Sequence, residues 1–237
     1  MPKDIKETEC NNGRGYMLEN VKACIFDLDG TLIDSMGLWE GVDEEYFAMH
    51  NIPLPADYQK MIDGLSIVEI AVMTKEKFGF KETVEEMLDH WNKMAYYKYA
   101  HEIQAKPGAY EFLQKCKEKG IKIGVATSNS IPLYSAVAKN LKFDEMMEAV
   151  VTGEDVKNGK PDPESYLKVA GKLGVNPKDC LVFEDLVVGI QSGIAAGMKT
   201  CAMYDKFSEN QDEERRKLAD YYFKDFWEVI KSEKEYL

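Results

Sequence analysis

Asp27 and Asp29, within Asp27-Leu28-Asp29-Gly30-Thr31, are the residues of this chain best placed by type and spacing to do chemistry. They follow Val21-Lys22-Ala23-Cys24-Ile25-Phe26, a short apolar run that predicts a buried strand. Side chains two apart on an extended backbone share one face, so both carboxylates belong to one side of the strand's C-terminal end. Gly30 lets the chain turn and a ligand approach the main chain. Open α/β sheets hold their ligands at strand C-termini. Taken alone, the pattern also fits an acidic turn that merely closes a strand.

Three further strand ends carry related groups. Ala126-Thr127-Ser128-Asn129 offers hydroxyls and backbone N–H groups ahead of a helix, which makes either an anion cradle or a plain N-cap. In Gly159-Lys160-Pro161-Asp162-Pro163, Asp162 and Pro163 have the residue types of a helix cap and first turn. Lys160 has no such structural duty and suits a fixed charge for a phosphate, or a solvated surface lysine. Phe183-Glu184-Asp185 places two carboxylates side by side, and their repulsion is relieved by a hard divalent cation with oxygen ligands. Mg2+ is the usual one in phosphoryl chemistry; the bland alternative is an acidic cap for the next helix.

The elements that must position these groups follow an alternating pattern with one interruption. Strands are expected at 21–26, 121–126, 148–151, 180–183 and 199–202. Helices are expected near 108–119, 131–141, 163–173, 187–196, 208–219 and 225–231. Such alternation predicts an α/β fold with a doubly wound parallel sheet covered on both faces. Between the first strand and the rest lies a block with helical spacing only, in pieces near 36–50, 55–63, 66–79 and 82–102, broken at Pro53/Pro55, Gly64 and Gly79. The expected organisation is a loose tail over 1–16, a core of 17–35 and 105–237, and an inserted helical domain over 36–104, with the two crossings as hinges.

Composition narrows the function. The 237 residues carry a formal charge of −12, which argues against a nucleic-acid or anionic-membrane surface. An anionic substrate would then need local compensation from a metal ion, a buried lysine or a helix N-terminus. No apolar stretch has the length of a membrane span, and Met1–Asn20 has no apolar leader core, so a cytoplasmic location is expected. Five cysteines without C-x-x-C spacing read as free thiols.

The four motifs, in this order on an alternating chain, resemble the haloacid dehalogenase superfamily of phosphotransferases over about Val21 to Ile230. The helical block resembles the small α-helical cap of its β-phosphoglucomutase-like and sugar-phosphatase-like branch. The resemblance implies that Asp27 is the nucleophile, forming an aspartyl-phosphate, and that Asp29 is the acid for the leaving oxygen and then the base for water. It implies that Thr127, Ser128 and Lys160 hold the phosphoryl group. Mg2+ would be bound by the Asp27 carboxylate, the Asp29 carbonyl and Asp185, with Glu184 at or near it. Dehalogenation needs neither the second aspartate nor a metal, so phosphoryl transfer is the implied activity.

Departures from the pattern favour water over a second phosphate as acceptor. The mutase members carry cations in the cap loop, a Lys after the second motif and a His near the first. Here Asp63 and Ile67, Asn129-Ser130, and Trp39 stand at those places. The expected function is therefore a Mg2+-dependent monomeric phosphomonoesterase for a small sugar phosphate or similar metabolite. A phosphohexomutase is the alternative, and a non-catalytic regulatory binder a more distant one. Most cap aromatics, Tyr99 among them, read as packing. Trp39, Asp63 and Ser66 are expected to face the substrate and set its specificity.

Overall fold

The computed structural model describes residues 17–62 and 67–233. Six strands form one all-parallel sheet in the order β3-β2-β1-β4-β5-β6: β1 Ala23–Phe26, β2 Lys122–Ala126, β3 Ala149–Val151, β4 Cys180–Glu184, β5 Lys199–Met203 and β6 Tyr221–Phe223. β1 is central, with Ile25 opposite Gly124 on β2 and Val182 on β4. Chain order reverses direction between β1 and β4, and such a switch point leaves a crevice beyond the strand ends.

Alternation along the strands builds two cores. Cys24, Phe26, Leu181 and Phe183 join Phe112 of α5 (Ala109–Glu118) and Phe226 of α10 (Phe226–Ser232) on one face. The Phe26 and Phe183 rings stack with centroids 4.8 Å apart, and Phe112 meets Phe183 edge-on at 5.3 Å. Ala23, Ile25 and Val182 face Tyr166, Val169 and Leu173 of α7 (Glu164–Leu173) on the other. Gly124 is small because a Cβ there would strike Val169. The four cysteines among the described residues, Cys24, Cys116, Cys180 and Cys201, are free and buried.

The uninterrupted helical block lies between β1 and α5 as α1 Leu38–Met49, α2 Tyr58–Ile62, α3 Ile67–Phe78 and α4 Val84–His101. Thr83 and Glu86 close a capping box at the start of α4. The chain enters and leaves this insertion side by side: Asp34 N–H donates to the Gln104 carbonyl at 2.9 Å, and Lys106 N–H to that of Leu32 at 2.8 Å. No helix among the described residues is long and apolar enough to cross a membrane.

Three expectations need correction. β6 was not expected, and 219–224 contains a strand that pairs with β5. The helix after Pro161 starts at Glu164, and Asp162 serves it by accepting the Glu164 N–H at 2.9 Å. The helix expected near 208–219 is confined to α9 (Asp212–Leu218), and its Arg215 is 0 % exposed.

Candidate active site

The crevice at the switch point gathers the acidic residues of the first and fourth motifs. Asp27, directly after β1, and Glu184 and Asp185, at the end of β4, bring ligand atoms within 4.8 Å of one another. Lys160 lies between two of them, with Nζ 2.5 Å from Asp27 Oδ1 and 2.6 Å from Glu184 Oε1. Tyr166, on α7, donates to the same Glu184 oxygen at 2.9 Å. The other Glu184 oxygen accepts the Asp185 and Leu186 N–H groups at 2.9 and 3.1 Å. Lys160 is thus no surface lysine; its side chain is 10 % exposed.

Two glycines make room for this packing. Gly30 has φ +79°, a conformation disfavoured for residues with a Cβ, and any Cβ there would overlap Asp185 Oδ2. A Cβ on Gly189, in α8 (Val187–Ala195), would overlap the Glu184 carboxylate.

Three carboxylates around one ammonium leave negative charge in excess. Burial, reinforced by Glu184 and Asp29 and opposed by Lys160, pushes Asp27 from 3.8 up to about 8. Burial, then Glu184 and Asp27, holds Asp185 well above its ordinary range. Burial works against the charged form of Lys160, but Asp27 and Glu184 outweigh it and raise its pKa well above 10.5. Asp185 Oδ1 accepts from Thr31 Oγ1 at 3.0 Å, whereas Asp185 Oδ2 is buried without a partner. A buried carboxylate oxygen with no donor is costly. Together with this hard-oxygen donor set it fits a divalent cation such as Mg2+, which would be held by Asp27, Asp185 and Glu184. The Asp185 main chain is fixed from behind: Arg215 Nη1 and Ser208 Oγ donate to its carbonyl at 2.7 and 3.0 Å.

Asp29 occupies a different environment. Its Oδ1 accepts from Ser35 Oγ at 2.6 Å and from the Tyr99 hydroxyl; its Oδ2 accepts from Asn129 Nδ2 at 2.7 Å. Asn129 Nδ2 also donates to the Tyr99 oxygen at 3.1 Å. Burial still wins over the hydrogen bonds from Ser35 and Tyr99, and the Asp29 pKa is raised. Burial, then the Asp29 charge, raises that of Tyr99.

The residues named from sequence fall into three groups. Asp27, Glu184, Asp185 and Lys160 form one contact cluster. Thr127 is buried on the adjacent loop, accepts the Asn129 N–H at 3.1 Å and borders Asp29, while Ser128 beside it is exposed. The cap of α6 (Ile131–Asn140) is Ser130, so Thr127 and Ser128 are not its caps. Trp39, on the first turn of α1, is 39 % exposed and joins none of these hydrogen bonds among the described residues. Asp63 and Ser66 lie outside the described residues. Thr31, Ser35 and Tyr166 carry no role in the sequence reading, and Tyr99, expected only to pack, instead donates to Asp29. The first two are short hydroxyls just after the D-x-D pair, a proximity that could have flagged them.

Known proteins are similar to this chain over most of its length. The chain matches the description "haloacid dehalogenase-like hydrolase" over residues 21–197. It is 34% identical over 187 residues to YhcW of Bacillus subtilis, provisionally named a phosphatase, covering 78% of this chain and 84% of that one. It is 32% identical over 184 residues to hexitol phosphatase A of Escherichia coli, covering 77% and 82%. A crystal structure from Thermotoga maritima, provisionally named a β-phosphoglucomutase, superimposes with TM-score 0.82 at 27% identity, covering 92% of this chain and 100% of that one.

Proposed function

We propose that this chain, which belongs to the haloacid dehalogenase-like hydrolase family, is a Mg2+-dependent phosphomonoesterase for a small sugar phosphate or similar metabolite. The observation that carries this reading is the Lys160 ammonium held between Asp27 and Glu184 beside the unpartnered Asp185 oxygen, at the switch point of the sheet. A carboxylate attacks an anionic phosphate poorly unless charge is neutralised at the site. Lys160 supplies one fixed positive charge there, and Thr127 and the Ser128 backbone offer hydrogen-bond donors. Mg2+, when bound by Asp27, Asp185 and Glu184 with the Asp29 carbonyl, supplies further neutralisation of the phosphoryl oxygens.

Asp27 is the nucleophile in this reading: its carboxylate oxygen bonds to phosphorus and splits hydrolysis into two easier displacements. Asp29 gives a proton to the leaving oxygen, then takes one from the attacking water. Residues 36–104 act as the cap over this core and carry leaving-group selectivity, with Trp39, Asp63 and Ser66 as contributors. A mutase would need a second phosphate held near the cap, where Trp39, Ile67 and Asn129-Ser130 offer no cation. Water is therefore the acceptor.

The test is phosphate release from a panel of sugar and polyol phosphates with Mg2+, for the parent protein and Asp27→Asn. Turnover by the parent and a loss on the order of 10⁴-fold in the variant are expected. Asp27→Asn turning over within tenfold of the parent would refute the nucleophile, and conversion of a hexose 1-phosphate to its 6-phosphate without free phosphate would refute the hydrolase.

A further inference from the structure

Asp29 is gripped from three separate segments, one six residues away along the chain and two far from it. Ser35 comes from the first crossing into the insertion, Tyr99 from α4 of the insertion, and Asn129 from the loop after β2. The two carboxylate oxygens are divided between them. Oδ1 accepts from both hydroxyls, while Oδ2 faces Thr127–Asn129 through the Asn129 amide.

Hydrogen-bond chemistry fixes the directions. Asn129 turns its NH2 toward Asp29, and Oδ2 accepts it at 2.7 Å with a lone pair to spare for a proton. The same NH2 donates to the Tyr99 oxygen at 3.1 Å, so the phenolic hydrogen is free to point at Oδ1. Asp29, Tyr99 and Asn129 close a ring, and the Ser35 hydroxyl also reaches Tyr99. Tyr99 is 3 % exposed, so water is a poor substitute for its hydroxyl, while Asp29 and Asn129 are half-buried.

We propose that Tyr99 is a positioning residue for Asp29: with Ser35 it fixes Oδ1, so that Oδ2 is the oxygen presented to the ester oxygen of the substrate. The inference rests on the acid–base reading of Asp29 given above. In the first displacement an Asp27 oxygen bonds to phosphorus, the bond from phosphorus to the ester oxygen breaks, and that oxygen takes the proton on Asp29 Oδ2. In the second, a water oxygen bonds to phosphorus as the Asp27–phosphorus bond breaks, and Oδ2 takes the water's proton. Tyr99 neither gains nor loses a proton in either step. Its role is to stop the carboxyl from rotating, and misplacement of a reacting group by about 1 Å can cost about 10²-fold.

A positioning role of this kind has a signature that general damage to the site lacks. A poor leaving group needs its proton, whereas 4-nitrophenolate departs nearly without one. The experiment measures kcat/KM with Mg2+ for the parent, Tyr99→Phe, Ser35→Ala and Asp29→Asn on 4-nitrophenyl phosphate and unsubstituted phenyl phosphate. Tyr99→Phe is expected to lose about tenfold or more on phenyl phosphate and less than about threefold on the nitrophenyl ester. Ser35→Ala is expected to show the same selectivity, since it frees the same oxygen. Equal losses on both esters in Tyr99→Phe, or no loss on either, would overturn the inference. If Asp29→Asn is itself insensitive to the leaving group, or the parent cleaves neither ester, the acid–base reading falls and takes the inference with it. If Asp29→Asn is selective and Tyr99→Phe is not, the positioning role alone fails.

Discussion

Glu82, in the helical insertion, and Glu184, at the end of β4, each anchor a polar cluster, but the two clusters balance their charge in opposite ways. Glu82 is surrounded by donors. Tyr46 donates to Oε2, His50 Nε2 lies 2.9 Å from the same oxygen, and His90 Nδ1 lies 3.3 Å from Oε1. Lys75 caps the Phe80 and Glu82 carbonyls next to it. Tyr46 also stacks on Phe80 at 5.1 Å and meets Trp91 edge-on at 5.5 Å, so the cluster is set in an aromatic core. Glu184 shares one lysine with Asp27, and Asp185 beside it keeps an oxygen with no donor. The first cluster is complete as it stands and serves the fold of the insertion. The second lacks positive charge, and its buried oxygen ligands suit a divalent cation. Carboxylate count alone would not separate them.

Removing the one ammonium of the switch-point cluster should have the largest effect. Lys160→Met leaves Asp27 and Glu184 buried without their cation, and loss of one partner of a buried pair costs about 3–5 kcal/mol. Denaturant unfolding should show that loss, together with phosphatase activity at background. A variant unfolding within about 1 kcal/mol of the parent would mean that the two clusters do not differ as described.

The clusters should also respond to pH with opposite sign. The Asp27 pKa is raised from 3.8 to about 8 on folding, so the folded protein holds this proton more tightly. Its contribution is present in acid and lost as pH climbs from about 4 to about 8. Glu82 is depressed: burial pushes it up, but the hydrogen bonds from Tyr46 and His90 and the His50 charge outweigh it. Its contribution is present above 4.5 and lost as pH falls through its lowered pKa. Metal-free thermal melts should therefore decline toward pH 8, and Glu82→Gln should flatten only the acid limb. Added Mg2+ should raise the melting temperature more at pH 8 than at pH 5, because binding must displace the proton on Asp27. Equal Mg2+ stabilisation at both pH values would count against Asp27 as a ligand.

The smallest effect is expected from Glu82→Gln at neutral pH. The site is partly exposed, so the loss should be about 1 kcal/mol by denaturation, with kcat/KM unchanged within about twofold. A large loss of activity would show that the insertion's cluster is coupled to the chemistry after all.

How much of this could be read from the chain depends on distance along it. The motifs at 27–31, 126–129 and 183–185 each combine a strand pattern with an adjacent polar group, and local spacing suffices for them. Tyr99 meets Asp29 across seventy positions, and nothing about an aromatic on an amphipathic helix distinguishes one that reaches a carboxylate from one that packs. Arg215 sits among Asp212, Glu213, Glu214, Arg216 and Lys217, where charge hides which face turns inward. Its burial is decided by the Asp185 and Met203 carbonyls it binds at 2.7 and 2.9 Å. β6 is three residues long, too short for alternation to appear, and exists because β5 offers an edge to pair with.

The paired crossings of the insertion have a consequence for how such a chain can change. Ile33 and Ala105 are bridged neighbours on adjacent antiparallel segments, so some seventy intervening residues start and finish at almost one point. To the sheet that long excursion is equivalent to a tight turn, and lengthening a closed excursion raises its entropic cost only slowly. Helices can be exchanged, added or trimmed between these two points without altering the register of any strand. A graft at this single junction would leave the sheet and its carboxylate–lysine cluster in place and replace only what the insertion brings to them, Tyr99 included.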